Sequence, residues 1–181
     1  MRKTSFLIFL TAAYFYFSQN QSNAVEPSST EKETVAKKTS SGDVNPETLS
    51  RVNFESSMTG LYESIGLESY GLSFEVFRLG MIGYYALENE GALNGQGLLT
   101  VIDFGKPSTQ KRFYTIDLVA KKVKYHTYVA HGRNTGENVA TKFSNNPHSN
   151  QSSLGFYVTG ETYVGSKGFS LRLDGKEASV N

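Results

Sequence analysis

The stretch LLTVIDFGKPSTQKRFYTIDLVAKKVKYHTYVAH, residues 98–131, decides the fold class. From Leu98 the sequence period changes to two, with Leu99, Val101 and Asp103 alternating with Leu98, Thr100, Ile102 and Phe104. Residues 112–119 alternate again, and this period is typical of strands. A tight connection at 119–121 leads into 122–131, which has the pattern of the return strand of a hairpin. This stretch therefore predicts antiparallel β structure.

Downstream of the hairpin, the sequence predicts a long loop and two more strands. Residues 132–153 are polar and rich in Gly, Asn and Ser, as loops are. Loops of this length in compact domains usually carry function. LGFYVTG (154–160) and FSLRLDG (169–175) are the two further strands.

Two short helices are predicted upstream of the strands. Asn45-Pro46-Glu47 is a helix-start signature, with a capping Asn, Pro at the first helical position and a carboxylate in the first turn. Gly66 ends this helix, Ser73 caps the second helix, and Gly91 stops it. The apolar residues repeat at helical spacing and indicate core packing rather than ligand stacking: Phe54, Met58, Leu61 and Ile65 in the first helix, and Phe74, Phe77, Met81, Tyr84 and Leu87 in the second.

The N-terminus has the pattern of an export signal. Arg2 and Lys3 precede an apolar run at 6–17, and small residues at 22 and 24 suit cleavage after Ala24. The run is too short for a membrane span, which needs about 20 residues, and no cysteine follows it for lipid attachment. We expect an exported protein, periplasmic or at the cell surface, without a stable membrane anchor after cleavage.

The chain therefore divides into four predicted parts. Residues 1–24 are the signal peptide, and 25–44 form a flexible linker, because that stretch has no aromatic residue and no apolar period. Residues 45–97 form a helical N-terminal extension. Residues 98–181 form the β domain.

Composition excludes several classes of function. The 181 residues carry 18 basic and 17 acidic side chains, a net charge of +1, which argues against nucleic acid as a partner. There is no cysteine, so the printed chain has no disulfide, thiolate metal site or cysteine nucleophile. His126 and His131 are five residues apart and would lie on opposite faces of one strand. We predict no metal and no cofactor.

The segment AHGRNTGEN, residues 130–138, concentrates polar and glycine residues at a strand end. Arg133 offers a planar fork for a carboxylate, and glycine allows a ligand to approach the backbone closely. His131, Arg133 and Asn134 are therefore candidate ligand-contacting residues. A loop whose His and Arg bind local carbonyls is the open alternative.

Residues 100–134 and SSLGFYVTGETYVGSKGFSLRLDG (152–175) resemble the murein L,D-transpeptidase catalytic domain family, the YkuD-type β-sandwich. The likeness implies an exported protein that acts on peptidoglycan stem peptides, with a cysteine thiolate that attacks the carbonyl before a D-alanine. It also implies that Ser153 and Tyr157, in the Gly-Phe strand, line the substrate cleft.

In that family the catalytic histidine and cysteine lie in HGA-like and SWGC-like segments that follow the LRLDG stretch. The printed sequence has neither segment, so we assign no catalytic residue and expect this chain to be inactive in that chemistry. We expect an incomplete β-sandwich, the N-terminal part of a larger enzyme. The alternatives are a non-catalytic peptidoglycan-binding module and an exported β-rich structural protein.

Overall fold

The computed structural model describes residues 6–10, 46–166 and 168–177. Its regular elements are, in chain order, β1 (Phe6–Leu10), α1 (Pro46–Ile65), a 3₁₀ turn (Leu67–Tyr70), α2 (Phe74–Asn89), β2 (Leu98–Asp103), β3 (Phe113–Asp117), β4 (Lys122–Thr127), β5 (Gly155–Gly165) and β6 (Gly168–Gly175). The linker predicted at 25–44 lies outside the described residues.

The helices lie where the sequence predicts them, although Asn45, the predicted cap of the first helix, lies outside the described residues. Helix α1 starts at Pro46 and is followed by Gly66. The φ of Gly66 is 70°, a left-handed conformation that glycine adopts with little steric penalty. The Ser73 hydroxyl accepts a hydrogen bond from the Val76 amide at 3.3 Å and so caps α2. The two helix predictions are confirmed.

The described strands form one sheet in the order β4–β3–β2–β1–β5–β6. Strand β1 pairs parallel to β2, and every other neighbouring pair is antiparallel. With two helices ahead of β2, this confirms the predicted mainly β fold with a helical part before it.

Opposite faces of the sheet carry separate apolar clusters, because neighbouring residues on a strand point to opposite faces. The helices cover one face, where Leu99 and Val101 pack with the apolar stripes of α1 and α2. The long loop covers the other face, where Ile102 and Tyr157 pack with Phe104. The aromatic stripe of α2 is thus core, as predicted.

Two strands differ in length from their predictions. Strand β4 ends at Thr127 instead of residue 131. Beyond its end, the Val129 carbonyl accepts hydrogen bonds from the side chain of Arg112, the residue just before β3. Strand β5 extends to Gly165 instead of residue 160. Its extra residues pair only with β6 and are mostly exposed, so they lack the apolar alternation that marks a half-buried strand.

Strand β1 has a position that the sequence does not predict. Residues 6–10 belong to the apolar run of the predicted signal peptide, and the rest of that peptide (1–5 and 11–24) lies outside the described residues. In the structure they lie between β2 and β5, with Ile8 in register with Val101 and Phe156. Among the described residues, no helix is long and apolar enough to cross a membrane.

Candidate functional site

A buried arginine holds the long loop against the end of the sheet. Arg112, just before β3, is 0% exposed. Its guanidinium donates hydrogen bonds to the Lys106 carbonyl at 2.9 Å and to the Val129 carbonyl at 3.0 and 3.1 Å. It also lies 5.0 Å from the centre of the Phe104 ring, within the range of a cation–π contact. The Arg112 side chain therefore connects the start of β3 with residues 104–106, after β2, and with Val129, after β4.

The same guanidinium selects the tautomer of a histidine. Arg112 Nη2 lies 2.8 Å from His131 Nδ1, and because guanidinium nitrogens only donate, Nδ1 must accept. The ring proton is then on Nε2, which donates towards the carbonyls of Gly136 at 3.1 Å and Glu137 at 3.0 Å. Both ring nitrogens of His131 thus have local partners.

Thr135 joins the two segments of the long loop. The side chain is 0% exposed, and its hydroxyl accepts a hydrogen bond from the Ser152 amide at 2.7 Å. Its carbonyl accepts bonds from the amides of Thr141 and Lys142. Nearby, the Gly132 amide donates to the Ser152 hydroxyl at 2.9 Å. We call the two connected segments, 130–138 and 144–153, the loop pair.

Glycine is required at one point of the loop pair. A Cβ built on Gly132 would lie 2.5 Å from the Asn150 carbonyl oxygen and 2.9 Å from the Ser152 amide nitrogen. Both neighbours are backbone and cannot move aside. The close approach of the two segments therefore depends on the absence of a side chain at this residue.

Arg133 and Asn134 lie on the exposed surface of the loop pair. Asn134 is fixed there, because its side-chain amide donates to the Ser149 carbonyl at 2.8 Å and its backbone amide to the Asn150 carbonyl at 3.1 Å. Arg133 makes no hydrogen bond or ion pair with any residue that the structure describes. The Arg133 guanidinium is therefore available to a ligand, and the hydrogen bonds of Asn134 hold the backbone that carries it.

Ser153 and Tyr157 form a linked pair at the start of β5. The Tyr157 hydroxyl donates to Ser153 Oγ at 2.6 Å, and Ser153 Oγ donates to the side chain of Asn145. Tyr157 is buried and Ser153 is half-buried. The structure thus brings His131, Arg133, Asn134 and Ser153 onto one loop pair, with Tyr157 in the apolar cluster beneath it. Their role in substrate binding stays a prediction.

Burial perturbs the charged groups at the base of the loop pair. Asp103, 7% exposed, accepts a hydrogen bond from the Gly105 amide at 3.0 Å. Burial raises the pKa of Asp103, and the Gly105 hydrogen bond and the charges of Lys106 and Arg112 oppose this rise. Burial also lowers the pKa of Arg112. Sequence reasoning missed Asp103 and Arg112, which stand in no recognisable motif. It also missed Thr135, although this residue lies within the 130–138 segment that the sequence singled out.

His126 lies in different surroundings from His131. Its ring stacks on Tyr114 with centroids 4.7 Å apart and meets the edge of Tyr70. The Tyr114 hydroxyl accepts a hydrogen bond from Lys106 Nζ at 2.7 Å. Burial lowers the pKa of His126, because the charged imidazolium would lose water.

Other parts of the described chain offer little competing chemistry. Within residues 6–10, 46–166 and 168–177 there is no group of three or more side chains suited to hold a metal ion. A shallow depression of about 260 Å³ on the helical side is lined by Tyr62, Glu63 and residues 66–69, none of which belongs to the loop pair. The loop pair is thus the best-supported candidate for a ligand site.

Comparison with protein families gives a match over most of the described part of the chain. The family model described as the L,D-transpeptidase catalytic domain matches residues 68–181. The matched range begins before α2 and includes both segments of the loop pair and strands β2 to β6. No curated protein and no solved structure matches the chain.

Proposed function

The chain belongs to the L,D-transpeptidase catalytic domain family, and on that premise we propose that it is an exported bacterial cell-wall protein whose loop pair binds peptidoglycan stem peptides. The observation that supports this most is Arg133. Its guanidinium is exposed and has no hydrogen-bond or ion-pair partner among the described residues. Its backbone is held by Thr135 and Asn134, so this side chain suits the carboxylates of a stem peptide.

The proposed role of these residues is recognition. Acyl transfer by a thiolate needs a cysteine, and the 181 residues contain none. His131 does not replace the missing nucleophile, because both of its ring nitrogens have hydrogen-bond partners. Its Nδ1 accepts a hydrogen bond from Arg112, and its Nε2 donates towards the carbonyls of Gly136 and Glu137. These residues should therefore bind stem peptides without forming an acyl-enzyme.

Calorimetric titration with a synthetic stem tetrapeptide that ends in D-alanine tests recognition. We expect saturable binding, and Arg133→Ala should weaken it about tenfold, because a charge-assisted hydrogen bond to an exposed carboxylate is worth about 1.5 kcal/mol. Arg51→Ala is the matched control, since Arg51 is also exposed but lies on α1.

Each result has a distinct meaning. Equal affinity in the unsubstituted chain and Arg133→Ala would remove Arg133 from the site. Absence of any binding would instead favour an exported β-rich structural protein. Release of D-alanine from the tetrapeptide by the purified 181-residue chain would contradict the proposal that these residues recognise without catalysis.

Export is tested separately. We propose that residues 1–24 direct export and are removed, and that the product lies in the periplasm or at the cell surface. Expression in a bacterium, followed by fractionation and N-terminal sequencing of the product, should give a chain that begins at Val25. A cytoplasmic product that still begins at Met1 would contradict this part of the proposal.

A further inference from the structure

Strand β1 has a central place in the sheet, between β2 and β5. Strand β2 pairs with β1 on one side and β3 on the other, and five of its six residues are buried. Leu99 and Val101 are 0% exposed, and Val158 of β5 is 5% exposed. Strands buried on both faces have continuous apolar runs, as FLIFL in β1 does.

Without β1 the sheet would separate into two parts. Strands β4, β3 and β2 would form one part, and β5 and β6 the other. The backbone N–H and C=O groups along Leu99–Asp103 and Gly155–Val158 that face β1 would lose their partners. Unpaired backbone groups beside buried side chains are costly, so this position requires a strand.

Removal of residues 1–24 would take away the strand that fills this position. We propose that the position between β2 and β5 is a strand-accepting site, filled by residues 6–10 while they are attached and able, once vacated, to bind an extended apolar peptide segment parallel to β2. This inference rests on the sheet topology, independently of stem-peptide binding, and only its link to processing rests on the proposed export.

The geometry defines the peptide that the site accepts. The segment must be extended over about five residues, because Phe6 to Leu10 are paired with Leu99 to Asp103. It must run antiparallel to β5, with its residues opposite Gly155–Val158. Proline is excluded at its centre, since proline has no N–H for the ladder. Side-chain specificity comes from buried neighbours such as Val101, which favour apolar residues.

Hydrogen–deuterium exchange on the full chain tests the proposal. Ile8→Pro should vacate the site, so that exchange in 98–103 and 155–158 becomes at least about tenfold faster. Ala13→Pro, within the predicted signal peptide but outside β1, is the matched control and should leave those rates unchanged. A synthetic peptide with residues 4–12 (TSFLIFLTA) and terminal lysines for solubility should restore protection in Ile8→Pro. The same peptide with Ile8→Pro should not.

Several outcomes would overturn the inference. Unchanged exchange in Ile8→Pro would show that residues 6–10 do not fill the position, and failure of the 4–12 peptide to restore protection would show that the position does not accept a strand. If Ile8→Pro does not fold, recovery of the native circular dichroism spectrum on adding the peptide supports the proposal, and lack of recovery overturns it. None of these readouts depends on stem-peptide binding.

Discussion

Replacement of Arg112 by methionine tests whether the loop pair depends on one buried guanidinium. The Arg112 side chain is fully buried and donates to three acceptors, the carbonyls of Lys106 and Val129 and the Nδ1 of His131. Methionine keeps most of the apolar length of the side chain, but it leaves all three acceptors without their donor. The variant therefore removes the polar connection and preserves most of the volume.

The expected loss follows from the exposure of the acceptors. Lys106, Val129 and His131 are half-buried, so water replaces part of what each loses, and we assign about 1 kcal/mol to each bond. Loss of the contact with Phe104 and relief of guanidinium desolvation act in opposite directions, and we take them to cancel. The free energy of unfolding should fall by about 3 kcal/mol.

Urea unfolding, followed by circular dichroism, measures this change. The slope of the free energy of unfolding against urea concentration should stay the same as in the unsubstituted chain. Arg51→Met removes the same charge from an exposed position on α1 and should change the free energy of unfolding by less than about 0.5 kcal/mol. A loss below about 1 kcal/mol in Arg112→Met, or an equal loss in Arg51→Met, would refute the view that Arg112 holds the loop pair.

Further predictions concern a histidine and two glycines. Because burial lowers the pKa of His126, the unfolded chain binds more protons than the folded one as pH falls through the ordinary value of 6.5, so stability should decrease from about pH 7 to 5. His126→Phe, which keeps a ring on Tyr114 but takes up no proton, should flatten this dependence in urea titrations at each pH. Gly83→Ala places a Cβ 2.4 Å from the Phe156 ring and should destabilise the protein by about 1–3 kcal/mol. Gly60→Ala, with no atom within 4 Å of its Cβ, should stabilise α1 by up to about 1 kcal/mol, and thermal unfolding of both glycine variants checks the pair.

Local signals predicted the helices and most strands correctly, because those signals act within a few residues. Pro46 and Gly66 mark the ends of α1, and the Ser73 cap marks the start of α2. The period-two pattern located β2 and β3, but burial does not alternate along them, because five of the six residues of β2 and three of the five residues of β3 are buried. The positions of these elements are therefore determined by residues within or next to each element.

The base of the site depends on contacts that no local pattern records. Arg112 precedes a strand, where an arginine is normally exposed, and it is buried because acceptors at 106, 129 and 131 converge on it. Those acceptors come together only after the loop has folded back. The glycine and polar content predicted a loop here, as the structure has it, and its role as a ligand site stays a prediction. The sequence did not predict that Arg112 anchors the loop.

The strand-accepting site was also beyond local reasoning. The apolar run at 6–10 satisfies the pattern of a signal peptide and that of a fully buried strand equally well, since both require continuous apolar residues. Periodicity cannot separate these interpretations. Only the pairing of Ile8 with Val101 and Phe156 shows that the run also fits the sheet.

Strand β2 connects the two proposals and makes them separable. Val101 packs on the helical face, Ile102 packs beneath the loop pair, and Asp103, at the strand end, is paired with Leu10 of β1. Loss of β1 therefore loosens the strand that supports the loop pair, so Ile8→Pro should weaken stem-peptide binding. Arg133→Ala changes only an exposed side chain and should leave exchange in 98–103 unchanged. If Arg133→Ala accelerated that exchange, Arg133 would be a structural residue, and its effect on binding could not be assigned to a contact with the ligand.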